Sequence, residues 1–283
     1  MTSPDIKTTH VHRPQPTSAY LFEAFARAAS AVALICFFVV LGQTIIQSPP
    51  GGKSGWPVAL LVMTTAIATL TSMSRQLAGQ NAMLAATIIG LIGGIVHAIG
   101  VITSIPFGPF AYSSTAGPQL FATLVWVMPV LWIVIVLNAR GVARLILKPW
   151  RKTKNYGFWI IGVTTALVVL FNLALEPFAT RINGYWVWLP TKFPWTWNGT
   201  PLINSIGWAI TSLLVLAFAT PSLINKHSRS RKLPPDFHPL IVWVLLLTVF
   251  GTGAAMNQLW SAVALCVATA LISTVFAVRG ARW

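Results

Sequence analysis

The chain has 283 residues, 55% hydrophobic and only 8% charged, with a net charge of +15 and a mean hydropathy of +0.74. Water-soluble domains carry roughly a quarter charged residues, so the composition excludes one and turns the outer surface toward lipid. The positive balance does not indicate a nucleic-acid partner, because the cations sit in short connectors between apolar runs and not on one soluble face.

The first residues are polar, with Pro14, Pro16, His10, His12 and Arg13. No short apolar core with a cleavage site precedes them, so no cleaved signal peptide is expected. Residues 1–27 are expected to form a disordered cytoplasmic tail, and 28–283 a single transmembrane helical domain. About 20 apolar residues cross a bilayer. Runs of that kind occupy 28–47, 56–73, 81–104, 118–137, 156–178, 202–224, 239–256 and 260–278. The expected fold is therefore an all-α, polytopic membrane bundle of about eight helices. Asn257–Leu259 alone would join the last two spans. Cys36 and Cys266 fall inside apolar runs and are expected as buried thiols.

Lys and Arg set the expected orientation. Arg140, Arg144, Lys148, Arg151, Lys152 and Lys154 follow the fourth span, and Lys226, Arg229, Arg231 and Lys232 follow the sixth. Arg75 follows the second, Arg279 and Arg282 the eighth, and Lys7, Arg13 and Arg27 lie in the tail. The opposite connectors hold only Lys53, Arg181 and Lys192. Positive charge is retained in the cytoplasm, so both termini are expected there.

Four stretches depart from plain lipid-facing helix, all at the expected outer end. In the third span Gly90, Gly93, Gly94, His97, Gly100 and Ser104 recur at helical spacing, which lets helices approach closely in lipid. His97 then faces packed neighbours. It is either a histidine satisfied by an interhelical hydrogen bond or a group that holds water or a proton. The next stretch, 105–118, is uncharged, turn-rich and aromatic, with Phe107 and Tyr112. It is either an interfacial loop or the cap of a pocket.

The third stretch is Asn172-Leu173-Ala174-Leu175-Glu176-Pro177. The chain has four acids, Asp5, Glu23, Glu176 and Asp236. Of these, Glu176 lies at the far end of a span, with Asn172 one turn earlier on the same face. An ionisable group at membrane depth is a functional candidate; the alternative is a solvated pair with Arg181. The fourth stretch is Gly184-Tyr185-Trp186-Val187-Trp188, continuing through Trp195 and Trp197 to Asn204 and Trp208. Its aromatic density exceeds what an interfacial belt requires, and aromatic faces stabilise cations. No metal-ligand array, phosphate-binding glycine loop or nucleophile–His–acid spacing is present, so no metal site is expected.

In order and spacing, these motifs resemble the bacterial and archaeal carotenoid biosynthesis membrane proteins. That family includes the carotenoid 1,2-hydratases acting on γ-carotene or bisanhydrobacterioruberin. The resembling pieces are Gly100-Val101-Ile102-Thr103-Ser104-Ile105-Pro106-Phe107-Gly108 through Tyr112 and Gly117-Pro118; Leu173 to Pro177; Gly184 to Trp188; and Gly199-Thr200-Pro201-Leu202-Ile203-Asn204 with Gly207-Trp208. The family usually has Glu where this chain has His97, Asp where it has Glu176 and Gly where it has Ser104. The resemblance implies cofactor-independent addition of water to the terminal 1,2 double bond of an acyclic carotenoid end group. From residue chemistry, Glu176 is the candidate acid, with His97 or Asn204 holding the water. Phe107, Tyr112, Asn172, Tyr185, Trp186, Trp188 and Trp208 are candidates for binding the substrate. The implied partners are a lipophilic carotenoid or other isoprenoid, membrane lipid, and other enzymes of the carotenoid pathway. Two other readings stay open: a non-catalytic isoprenoid-binding membrane protein, and a small-molecule transporter. A transporter would carry polar positions along several spans, and spans one, two, seven and eight have almost none.

Overall fold

The computed structural model describes residues 17–46, 55–192, 194–224 and 234–283. The eight long helices among them are α1 (Thr17–Ile46), α2 (Trp56–Ser74), α3 (Gly79–Thr103), α4 (Met128–Ile146), α5 (Tyr156–Glu176), α6 (Leu202–Ala219), α7 (His238–Met256) and α8 (Trp260–Ala281). Each is long and apolar enough to cross a membrane, and the protein is an integral membrane helical bundle. Large apolar side chains such as Phe38, Leu91, Phe158, Leu271 and Phe276 are exposed around its outside, where lipid would meet them.

The order of spans agrees with the sequence, but two boundaries move. The chain is helical from Thr17, inside the stretch expected as tail; residues 1–16 lie outside the described residues. The fourth span runs from Met128 to Ile146 and not over 118–137. The short strands β2 (Gln119–Leu120) and β3 (Leu124–Val125) pair in its place, and Pro129 stands in the first turn of α4. Asn138 and Arg140, which lie beyond the expected end of the span at 137, are buried inside the bundle. Asn138 Nδ2 donates to Thr69 Oγ1 on α2 at 3.0 Å and to the Val134 carbonyl at 2.8 Å. A polar side chain with partners of this kind is compatible with a membrane interior.

α4 is the central helix and packs against α2, α3, α5, α7 and α8. The small-residue face of α3 makes its contact with α4 close. The Trp132 ring lies directly on Gly93, where a Cβ would collide with it, and Gly90 and Gly94 receive Ile133 and Pro129. Side-chain contacts gather the basic connectors at one end of the bundle. Arg75 after α2 pairs with Glu23 on α1 at 2.8 Å, and Lys148 after α4 donates to the Ala281 carbonyl at 2.8 Å.

The opposite end carries the irregular stretches. There β1 (Phe110–Tyr112) pairs antiparallel with β4 (Trp186–Trp188), which sets Phe110 opposite Trp188 and Tyr112 opposite Trp186. Strand alternation turns Trp186 into the protein and leaves Val187 exposed. Ser113 and Thr115 fasten the two loops by donating to the Gly184 carbonyl. A last pair, β5 (Thr196–Trp197) with β6 (Thr200–Pro201), leads into α6.

Candidate active site

Glu176 is the last residue of α5, and its position follows from the local sequence. Pro177 has no N–H, so the Leu173 carbonyl loses its intrahelical donor. The Trp197 indole supplies a replacement at 2.9 Å, and the chain continues as a π-helical turn, Pro177–Ile182. The Glu176 side chain is buried to 1% exposure.

Five donors from four segments converge on this carboxyl group. Asn172 Nδ2 and Asn204 Nδ2 donate to Oε1 at 3.1 and 2.6 Å. The indoles of Trp186 and Trp188 and the hydroxyl of Thr200 donate to Oε2 at 3.2, 3.1 and 3.2 Å. Behind them, Asn172 Oδ1 accepts from Asn204 Nδ2 at 3.3 Å and from Ser205 Oγ at 3.2 Å. A solvated pair with Arg181 is therefore not formed; the exposed Arg181 guanidinium lies near Gly199.

Beside the carboxyl group is a space of about 10 Å³, bordered by His97, Tyr112, Glu176, Asn204, Trp186 and Trp188, with Phe107, Phe110, Met128 and Trp208. One water molecule needs roughly 10–15 Å³. His97, Glu176 and Asn204, on three separate helices, thus border one cavity. Of the other candidates, Phe107, Tyr112, Trp186, Trp188 and Trp208 line it too. Asn172 lies behind Glu176, and Tyr185 belongs to the neighbouring space described below.

His97 is set by its contacts. Trp132 Nε1 donates to its Nδ1 at 3.0 Å. An indole N–H can only donate, so Nδ1 is the acceptor in this bond. Phe107 lies against the imidazole with ring centres 4.3 Å apart, while Trp132 stacks on Trp208 at 4.5 Å. Phe107 is gripped between two glycines: a Cβ on Gly100 would meet it at 2.6 Å and one on Gly207 at 2.7 Å. The Tyr112 hydroxyl is buried and makes no hydrogen bond among the described residues. Burial pushes the phenols of Tyr112 and Tyr185 above the ordinary tyrosine range, and nearby Glu176 adds to the effect at Tyr112. Both stay neutral donors at neutral pH.

Tyr112, Met128 and Trp186 also border a second space of about 70 Å³, which adjoins the first. Its walls come from α1, α2, α4, α5 and α7 and are apolar, with Leu61, Leu131, Phe171, Leu246 and Phe250 among them; Tyr185 closes its loop side. Sequence reasoning did not single out Trp132 or Thr200. Trp132 is one aromatic in an apolar run, with no local sign of its partner. Thr200 lay within a motif already noted, but its bond to Glu176 depends on the β5–β6 turn. Among the described residues, no three His, Cys, Asp or Glu side chains are placed to hold a metal ion.

Fold and site together define an integral membrane helix bundle with one buried carboxyl group, aromatic walls and an adjoining apolar chamber. The chain belongs to the carotenoid biosynthesis protein family, whose model matches residues 55–274. It is 31% identical over 143 residues to a bisanhydrobacterioruberin hydratase of Haloarcula japonica, a match covering 50% of this chain and 46% of the relative. The matched region thus spans about half the length of that relative. No solved structure matches the chain.

Proposed function

We propose that the protein hydrates the terminal 1,2 double bond of an acyclic carotenoid end group by acid catalysis through a carbocation. The observation that carries this reading is the buried Glu176 carboxyl group bordering a one-water cavity that adjoins an apolar chamber. The chamber receives the isopropylidene end of the polyene. Glu176, as the neutral acid, gives its proton to C2, and the π electrons form the new C–H bond. The tertiary carbon C1 is left cationic and faces the rings of Trp186, Trp188 and Trp208. Water bonds to C1 through oxygen and returns a proton to the Glu176 carboxylate. The net change is addition of one water; no electrons are gained or lost, so the reaction needs no redox cofactor.

The surrounding groups suit these steps. Thr200 is the one hydroxyl among the five donors, so it can turn to accept the acid's proton. Asn204 uses its Nδ2 on Glu176 and Asn172, leaving Oδ1 to accept from the water. His97 and Tyr112 border the same space, where the Tyr112 hydroxyl can hold that water from the other side. The Lys and Arg distribution supports cytoplasmic termini, and with that orientation the site would lie toward the outer face of the membrane. Reporter fusions after Trp283 and within 148–154 should both register cytoplasm; an external signal from either overturns that orientation.

One observation favours a second reading, a non-catalytic isoprenoid-binding protein. Five donors make Glu176 a structural hub as well as an acid candidate. Paired substitutions separate the two. Glu176→Asp keeps an acid, whereas Glu176→Gln keeps the size but sets an amide N–H₂ against donors. Each is expressed in a host that accumulates an acyclic carotenoid, and hydroxylated pigment is measured by chromatography at matched amounts of folded protein. General acid catalysis contributes about two to four powers of ten in rate. Glu176→Gln should therefore lose nearly all product while Glu176→Asp retains a measurable fraction. Full yield from Glu176→Gln removes Glu176 as the acid. No hydroxylated pigment from the unaltered protein leaves the binding reading.

A further inference from the structure

At the other end of the bundle a separate cavity of about 470 Å³ opens among the ends of α2 and α4 and the start of α7. It shares no lining residue with the Glu176 site. Arg140, Arg144, Lys148 and Arg151 line it, and the sole carboxylate among its described lining residues is Asp236. That carboxylate is already engaged, by the Ser72 hydroxyl at 3.1 Å and the His238 N–H at 3.0 Å. Among the described residues, none of the four cations lies within 4.0 Å of a carboxylate.

Arg140 distinguishes this cavity from an ordinary run of cytoplasmic cations. It is 9% exposed and stands one turn before Arg144 on the same face of α4. Its Nη2 donates to the Leu223 carbonyl at 3.2 Å, but its buried Nε has no acceptor among the described residues, and Nε2 of His238 has no hydrogen-bond partner there. A buried guanidinium donor is costly to leave unpaired, and like charges around one concavity focus a positive field within it. An anion with several acceptor oxygens would match these donors.

We infer that this cavity binds a phosphate group, and that the headgroup of an anionic phospholipid is its natural source. Phosphate oxygens accept charge-assisted hydrogen bonds from several Arg and Lys donors at once. The cavity lies where the spanning helices end, the depth at which headgroups meet basic pockets between helices. This inference does not rest on the hydratase reading.

The test uses the purified full-length protein in neutral detergent. Its thermal stability is followed while phosphatidylglycerol, phosphatidylcholine or inorganic pyrophosphate is titrated in. Phosphatidylglycerol should raise the melting temperature and phosphatidylcholine should not. Arg144 and Arg151 are exposed, so Arg144→Gln with Arg151→Gln should fold, and should weaken the apparent affinity by about tenfold or more. Lys152→Gln with Lys154→Gln removes the same charge from exposed residues outside the cavity and should leave the affinity within about twofold. Stabilisation by pyrophosphate but not by phosphatidylglycerol, lost in the Arg pair alone, keeps the phosphate site and assigns it to a soluble ligand. Equal losses in the two double variants would reduce the effect to general surface charge and overturn the site. So would equal stabilisation by the two lipids with none from pyrophosphate.

Discussion

The two ends of the bundle treat buried polar groups in opposite ways. Around Glu176 one carboxyl group receives five hydrogen bonds, and the adjoining space is about 10 Å³. At the basic end four cations surround about 470 Å³, and Nε of Arg140 and Nε2 of His238 go unpaired among the described residues. In the first arrangement the carboxyl group itself is preorganised by its five donors, although the Tyr112 hydroxyl beside it is unpaired among the described residues. The second leaves a buried guanidinium N–H open toward its cavity, where the proposed phosphate would accept from it. The contrast teaches that polarity inside a membrane bundle has two uses. A carboxyl group ringed by donors is held in place, as the proposed acid requires, whereas donors left open toward a cavity suit the proposed phosphate.

The sharpest way to break the comparison is at Glu176. Glu176→Gln turns an acceptor into a donor facing two indoles, and product should fall by about two to four powers of ten. If yield is unchanged, the Glu176 end is merely structural. Next comes Trp132→Phe, which removes the one donor to His97 Nδ1 and leaves a buried acceptor unpaired. It should destabilise the detergent-solubilised protein by about 1–3 kcal/mol, read as a lower melting temperature. An unchanged melting temperature would mean that His97 is not held by that bond. Trp186→Leu or Trp188→Leu should cost less in product, since one cation–π contact is worth about 1–2 kcal/mol. Losses as large as that from Glu176→Gln would show that the indoles act mainly by positioning the carboxyl group.

The smallest expected effect is one of pH. Burial raises the phenols of Tyr112 and Tyr185 above their ordinary value near 10. The unfolded chain then ionises first as the medium becomes alkaline. The stability linked to these neutral phenols is therefore complete below that value and declines as pH rises beyond it. Melting temperatures of the unaltered protein and of Tyr112→Phe, compared from neutral pH to pH about 11, should differ in slope only in the alkaline range. Parallel curves throughout would show that Tyr112 makes no such contribution.

Eight spans were legible in the sequence because span length is a local property: about 20 apolar residues are needed wherever the chain crosses. The shared face of Asn172 and Glu176 was legible for the same reason, since one helical turn separates them. Polar residues misled where their partners were distant. Asn138 and Arg140 fell beyond the expected end of the fourth span, but inside the bundle Thr69 pairs with Asn138 and the Leu223 carbonyl accepts from Arg140 Nη2, while Arg140 Nε stays unpaired among the described residues. Only the tertiary structure paired β1 with β4, brought Trp186, Trp188 and Thr200 to one carboxyl oxygen, and set Trp132 against His97. Periodicity along a chain states which face a residue occupies. Which faces meet depends on close packing between helices, as where Trp132 lies on Gly93 and where Gly100 and Gly207 enclose Phe107.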